Sequence, residues 1–170
     1  MAPLLSRKKD LIYLVFFTIH IPIVFLVDIY PLYPPSLIPT FMTSLRTWYI
    51  ATYRDANFVS PPAWFMLYSW LELFYHAPLS IWAIGALLRD DPRVPGHLLA
   101  YAMQTAVTTA TCIADFLSWE DLSGKEKVEL GKLYVPYLAV SVFMGLDMLG
   151  RLNAKLSSGR LVDGRLKKGN

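Results

Sequence analysis

The chain has 170 residues, of which 55% are hydrophobic and 14% aromatic, and its mean hydropathy is +0.39. This composition is too apolar for a soluble domain of that length. The formal net charge is +3, but the sequence contains no nucleic-acid-binding motif. The single cysteine, Cys112, excludes an intrachain disulfide. We therefore expect an all-α polytopic membrane protein.

Four apolar segments are each close to the ~20 residues that cross a bilayer, and they predict four transmembrane helices over residues 11–27, 64–88, 98–117 and 133–150. The first segment follows basic residues, as a secretory signal would, but no small-residue cleavage site comes after it. We interpret it as a retained helix. Residues 1–150 are expected to form one four-helix membrane domain, and residues 151–170 a basic cytosolic tail.

The distribution of lysine and arginine predicts that both termini are cytosolic. Eleven of the sixteen cations fall in the N-terminal tail, the second loop and the C-terminal tail. The last four residues, 167–170, resemble the dilysine retrieval signal of endoplasmic reticulum membrane proteins, although an ordinary basic tail is the alternative. We expect a multi-pass endoplasmic reticulum membrane protein whose basic tails bind an anionic lipid leaflet and no nucleic acid.

The first loop, residues 31–61, is long and rich in proline. Within it, apolar side chains recur at helical spacing, at Ile38, Phe41, Met42, Leu45, Trp48 and Tyr49. This pattern predicts a short amphipathic helix on the luminal interface. The helix could act as a lid over the bundle or merely cap it, and both interpretations stay open.

Glu72 lies inside the second apolar segment. A carboxylate at that depth costs roughly 2.5–3.5 kcal/mol on insertion scales, so it is expected to face other protein or a water-filled cavity. The helical rise puts His20 of the antiparallel first helix at the same level, near the bilayer midplane. His76 lies one turn beyond Glu72, and Asp28 lies nearer the lumen. We expect these side chains to form an intramembrane site.

The last two predicted helices also carry polar faces. In the third, the face repeats at i, i+4, i+7 and i+11, at Gln104, Thr108, Thr111 and Asp115. Such a stripe is expected to point inward, either to hydrogen-bond between helices or to line a cavity. The fourth helix has a similar face at Tyr134, Tyr137 and Ser141, with Pro136 beside it.

Three separated motifs carry a resemblance, namely His20-Ile21-Pro22-Ile23 with Val27-Asp28, Pro61-Pro62-Ala63-Trp64-Phe65 leading to Glu72-Leu73, and Tyr134-Val135-Pro136-Tyr137-Leu138. In this order and spacing they resemble the sigma-2 receptor branch of the EXPERA superfamily, whose other branch contains a sterol isomerase of cholesterol synthesis. The resemblance covers all four predicted helices. It implies a buried pocket that accepts sterols or oxysterols and cationic amphiphilic amines.

The resemblance also implies roles for the two carboxylates. Asp28 would form the ion pair with the ligand amine, while Glu72 would be protonated and hydrogen-bond to it. Two nearby carboxylates in a low dielectric do not readily both ionise, which agrees with this division. The alternative is an acid pair that only joins two helices. The expected ligand-binding residues are His20, Asp28, Glu72, Gln104, Thr108, Tyr134 and Tyr137, with no metal or cofactor.

The helix positions that carry the catalytic groups of the isomerase branch distinguish a receptor from an enzyme. The isomerase branch carries an acid one turn after the position of His20, and an amide and an indole in its last helix. Here Val24, Gly145 and Met148 occupy those three positions. We therefore expect no catalytic residues and a non-enzymatic receptor in cholesterol homeostasis and trafficking, forming a homodimer and contacting another membrane protein. A sterol Δ8–Δ7 isomerase is the alternative.

Overall fold

The computed structural model describes the backbone of residues 3–168 and the side chains of residues 3–158. Every regular element within those residues is a helix, which confirms the all-α class. Three described stretches are long and apolar enough to cross a membrane, namely Lys8–Asp28, Ala63–Leu88 and Gly124–Ser158. The expected retrieval signal, residues 167–170, lies outside the residues whose side chains are described.

The first membrane-crossing stretch changes its winding near its end. Helix α1 (Lys8–Ile23) continues into a π-helical turn, Val24–Asp28, where Ile29 N–H donates to the Val24 carbonyl over 3.1 Å. Pro22 lies just before this turn and has no N–H to donate, so it interrupts the regular ladder. Interruptions of this kind are where helices kink or widen.

The second stretch is built in three parts: α4 (Ala63–Leu71), a π-helical turn (Glu72–His76) and α5 (Ala77–Leu88). Pro78 is in the first turn of α5 and has no N–H. It therefore cannot donate a backbone hydrogen bond to a carbonyl of the preceding π turn. The whole stretch begins one residue before the predicted 64–88 and ends with it. Both π turns therefore adjoin a proline, and both carry a carboxylate.

Helices α6 (Val94–Ser118) and α7 (Gly124–Lys168) make the most extensive helix–helix contact in the described chain. Both extend beyond the apolar segments that predicted them, because the flanking residues are polar and yet compatible with a helix. Helix α7 runs without a break across the expected boundary at residue 150. Helix α6 has 25 residues but is less apolar than the three candidate spans, since it carries several threonines.

The predicted amphipathic helix of the first loop is present as α2 (Thr40–Tyr53), followed by the short helix α3 (Ala56–Val59). Both lie over one end of the bundle, which we call the cap end. Met42 faces inward and is buried, whereas Phe41 and Trp48 remain 59% and 56% exposed. The expected apolar face is thus divided between the bundle and the surroundings.

The opposite end, where α1 begins and α5 ends, is held by ion pairs, and we call it the basal end. Asp10 is buried and pairs with Arg7 at 2.8 Å and with Arg151 at 2.6 Å. Arg7 also donates to the Leu87 carbonyl at 2.6 Å. These contacts join α1, α5 and α7. The apolar core begins directly above them and includes Tyr13, Phe17, Leu98, Tyr101, Met144 and Met148.

Candidate functional site

A cavity of about 320 Å³ lies between the core and the cap end. Its size is at the lower end of the range of small-molecule sites. Its walls are mostly apolar and aromatic, with contributions from both π turns and from α1, α2, α3, α4, α6 and α7. Six of the seven predicted ligand-binding residues line it: His20, Asp28, Glu72, Thr108, Tyr134 and Tyr137.

The two π turns supply the carboxylates of the cavity. Asp28 is the last residue of the first turn and Glu72 is the first residue of the second. A π turn takes one more residue than an α turn, so it shifts which side chains share a face, and such turns are frequent at functional sites. This feature was not predicted, although the nearby prolines were a signal for it.

Glu72 lies between two imidazoles. His76 Nδ1 is 2.8 Å from Glu72 Oε1, and His20 Nε2 is 3.7 Å from Glu72 Oε2. Both histidine side chains are almost fully buried, while Glu72 retains 19% exposure, toward the cavity. The predicted common level of His20 and Glu72 is therefore confirmed. In residues 3–158 no three His, Cys, Asp or Glu side chains are arranged to hold a metal ion.

Asp28 differs from Glu72 in having no polar partner. It lines the cavity, and no hydrogen bond or ion pair joins its carboxylate to another side chain in the described part of the chain. An ionised carboxylate away from water is costly unless a cation or hydrogen-bond donors approach it. The arrangement can therefore accept a positively charged group, with Glu72 on the same cavity as a second polar contact.

The inward face of α6 is displaced by one residue from the predicted stripe. Thr105, Thr109 and Cys112 line the cavity together with Thr108, whereas Gln104 does not line it. The inward residues repeat at the same spacing as the predicted ones. Because Cys112 is apolar, the face that contains Thr105 and Thr109 is less polar in sequence than the adjacent face that contains Gln104. The sequence pattern therefore favoured the adjacent face.

The other two members of the predicted α6 stripe do not reach the cavity. The Thr111 hydroxyl donates within its own helix to the Val107 carbonyl at 2.9 Å. Asp115 accepts hydrogen bonds from Asn57 Nδ2 at 3.1 Å and from Trp119 Nε1 at 3.2 Å. The stripe was expected either to line a cavity or to hydrogen-bond between helices. Thr108 lines the cavity, whereas Asp115 forms a hydrogen bond to another element.

Asp55 joins two tyrosines that line the cap end of the cavity, and sequence reasoning missed it. Its side chain has no solvent exposure, and its Oδ2 accepts from the Tyr134 hydroxyl at 2.7 Å and from the Tyr49 hydroxyl at 2.9 Å. The Asn57 N–H donates to Oδ1 at 3.1 Å. Burial raises the pKa of the Asp55 carboxyl although these hydrogen bonds oppose the rise. Nothing in the loop's composition marked this aspartate as buried.

Comparisons with known proteins show the family of the chain. A model of the family described as EXPERA (EXPanded EBP superfamily) matches residues 41–148. The chain is 30% identical to Sigma intracellular receptor 2 of Xenopus tropicalis over 155 residues, which cover 85% of this chain and 90% of that protein. It is 27% identical to Sigma intracellular receptor 2 of Homo sapiens over 161 residues, which cover 87% and 91%.

A further relative is not named as a receptor. The chain is 31% identical to Efficient mitochondria targeting-associated protein 19 of Schizosaccharomyces pombe over 113 residues. That match covers 65% of this chain and 58% of the yeast protein.

Proposed function

This chain belongs to the EXPERA family, and from that premise we propose that it is an intramembrane receptor for sterols or oxysterols and for cationic amphiphilic amines. The observation that carries the proposal is the pair of carboxylates, Asp28 and Glu72, on one mostly apolar cavity. Apolar walls suit a sterol skeleton, and an acidic group without a partner suits an ammonium. Relatives named as receptors support the same reading.

In the proposed complex, Asp28 forms the ion pair with the ligand ammonium and Glu72, as a neutral acid, hydrogen-bonds to the ligand. A single net negative charge then meets a single positive charge, so little uncompensated charge remains in the apolar interior. Tyr137 and Thr108 add polar edges to the cavity wall, and Tyr134 joins the wall to the cap end. Gln104 is not needed for this arrangement.

For the membrane arrangement we propose four spans, with α6 as the fourth, and both termini in the cytosol. The basal end then lies at the cytosolic face and α2 at the luminal interface. Support comes from the positive residues around the basal end and from the polar face that α6 turns to the cavity rather than to lipid. Residues 1–150 form the membrane domain, and residues 151–170 form a basic cytosolic tail. The proposed location is the endoplasmic reticulum membrane.

The proposed cellular role is control of cholesterol homeostasis and trafficking, through contact with another membrane protein. We also propose a homodimer in the bilayer. Large apolar side chains that point away from the bundle, among them Phe74 at 71% and Leu146 at 68% exposure, support contact with lipid or a neighbouring chain.

A sterol Δ8–Δ7 isomerase is the second candidate, and the row His20–Glu72–His76 beside the cavity favours it, because acid–base groups lie where a sterol would bind. The replaced isomerase positions oppose it. Val24 and Met148 are fully buried in apolar clusters, and a Cβ added at Gly145 would meet Ala102 at 3.6 Å. All three serve helix packing and lie outside the cavity lining.

The proposal is tested by asking what the purified protein binds. The full chain is isolated in mild detergent, its retained lipids are identified by mass spectrometry, and it is then placed in lipid nanodiscs. We expect a co-purified sterol and saturable binding of both labelled cholesterol and a lipophilic tertiary amine, each of which competes with the other. Saturable binding of neither ligand would refute the proposed function.

A further inference from the structure

The inner end of the cavity, on the side of the apolar core, contains a concentration of polar groups that lack partners. Glu72 Oε2, both ring nitrogens of His20 and the Thr105 hydroxyl are buried and have no hydrogen-bond partner within the described residues. All three side chains line the cavity. Behind them, the hydroxyls of Ser80 and Tyr101 are buried without a regular hydrogen bond, and Tyr101 lies near enough to Ser80 and Thr105 to interact with both. We call these five residues the inner polar cluster.

The cluster is compact. The Tyr101 ring centroid lies 6.1 Å from that of His20, and the Tyr101 hydroxyl neighbours those of Ser80 and Thr105. Its members come from α1, the second π turn, α5 and α6, so the helices converge on this point. Buried polar groups are normally satisfied, and a group of orphaned donors and acceptors at one place requires an explanation.

Resting on the proposed function, we propose that the inner polar cluster binds a hydroxyl group of the ligand, so that a neutral sterol enters with its hydroxyl toward the basal end. A hydroxyl can both donate and accept. It would donate to Glu72 Oε2 or a His20 nitrogen and accept from the Thr105 hydroxyl. The ligand class is therefore a hydroxylated lipid of sterol size.

This site overlaps the position expected for an ammonium at Glu72 and differs from it at Asp28. Asp28 lies eight residues beyond His20 in the chain, at the end of the first π turn and on the side of the cap end. Neutral sterols and cationic amines would thus share the cavity and Glu72, but would differ in their second polar anchor. Sterol recognition then depends on Thr105, whereas recognition of an amine depends on Asp28.

The test compares two sterols that differ by one hydroxyl. Cholesterol and cholest-5-ene, which lacks the 3-hydroxyl, compete against a labelled sterol on the full chain in nanodiscs. We expect the wild type to bind cholesterol about tenfold more tightly, and Thr105→Val to abolish that preference by weakening cholesterol binding alone. Thr105→Ser keeps the hydroxyl and should retain the preference.

Thr111→Val is the matched control, because Thr111 is on the same helix, does not line the cavity and bonds only to its own helix. Ser80→Ala provides a second variant, expected to reduce the preference. A wild type that binds both sterols equally, or a preference that survives Thr105→Val, would overturn this inference and leave water as the occupant of the cluster. Absence of all saturable sterol and amine binding would instead refute the proposed function.

Discussion

At the residue scale, Asp28 is the cavity's clearest candidate for a cation anchor, since no other described side chain neutralises it. We predict that Asp28→Asn weakens the binding of cationic amphiphiles by at least about tenfold, because an amide cannot form an ion pair. Neutral sterols should be much less affected. Equilibrium competition in nanodiscs measures both affinities.

The control for this substitution is Asp121→Asn, at a side chain that is 70% exposed and does not line the cavity. It should change neither affinity. If Asp28→Asn reduced sterol and amine binding equally, a damaged fold or another anchor would be the explanation, and the assigned role of Asp28 would be wrong.

Glu72 provides a second prediction at this scale. If its neutral form acts as a hydrogen-bond donor, glutamine can replace that donor, so Glu72→Gln should reduce amine affinity less than Glu72→Ala. Alanine would in addition leave His76 Nδ1 without its 2.8 Å partner, which adds a buried unsatisfied group. Glu129→Gln, at an exposed glutamate, is the control. Equal losses for glutamine and alanine would contradict the neutral-acid assignment.

At the scale of elements, the cap formed by α2 and α3 is attached to α7 through the buried Asp55 and through an exposed ion pair between Arg54 and Glu126 at 2.8 Å. Asp55 links Tyr49 of α2 to Tyr134 of α7, and Arg46 of α2 donates to the Phe58 carbonyl of α3. Helix α2 also contacts the first π turn, and the Arg46 guanidinium lies 4.7 Å from the Tyr30 ring centroid. Removing the Asp55 carboxyl is therefore expected to loosen the cap more than the transmembrane helices.

Asp55 also predicts a pH dependence. Burial raises its folded pKa above the ordinary aspartate value of about 3.8, so the folded state binds the proton more tightly than the unfolded state. The stability it contributes is therefore full below about pH 3.8 and falls as pH rises through the folded pKa. We predict that the Tm advantage of wild type over Asp55→Asn, from intrinsic tryptophan fluorescence in detergent, decreases with increasing pH. An advantage that grows with pH would contradict the raised pKa.

At the scale of the whole molecule, the helices enclose a cavity with acidic and imidazole groups but without the isomerase acid, amide and indole. Protonating a sterol double bond requires a donor at the alkene carbon and groups that stabilise the developing positive charge. We predict binding of Δ8 sterols without conversion to Δ7 isomers. The purified chain in lipid, followed by mass spectrometry beside an authentic isomerase, tests this.

The decisive contrary result would be sustained conversion that both His20→Ala and Glu72→Gln abolish. Such a result would make the protein an enzyme and the receptor function secondary. Conversion that survived both substitutions would point to a contaminating isomerase.

Hydropathy and spacing along the chain were sufficient for the membrane class, the extent of the second span and the common level of His20 and Glu72. Each of these depends on properties of one helix at a time, namely its length, its apolar content and its rise per residue. The amphipathic helix over residues 40–53 was predictable for the same reason.

Which side chains meet was decided only by the tertiary structure. The rotation of α6 about its axis selected Thr105 rather than Gln104 for the cavity, and it follows from packing against α7. The π turns that direct Asp28 and Glu72, and the burial of Asp55 beneath two tyrosines, likewise depend on several elements together. A sequence pattern determines the faces that a helix has, whereas its neighbours determine where each face points.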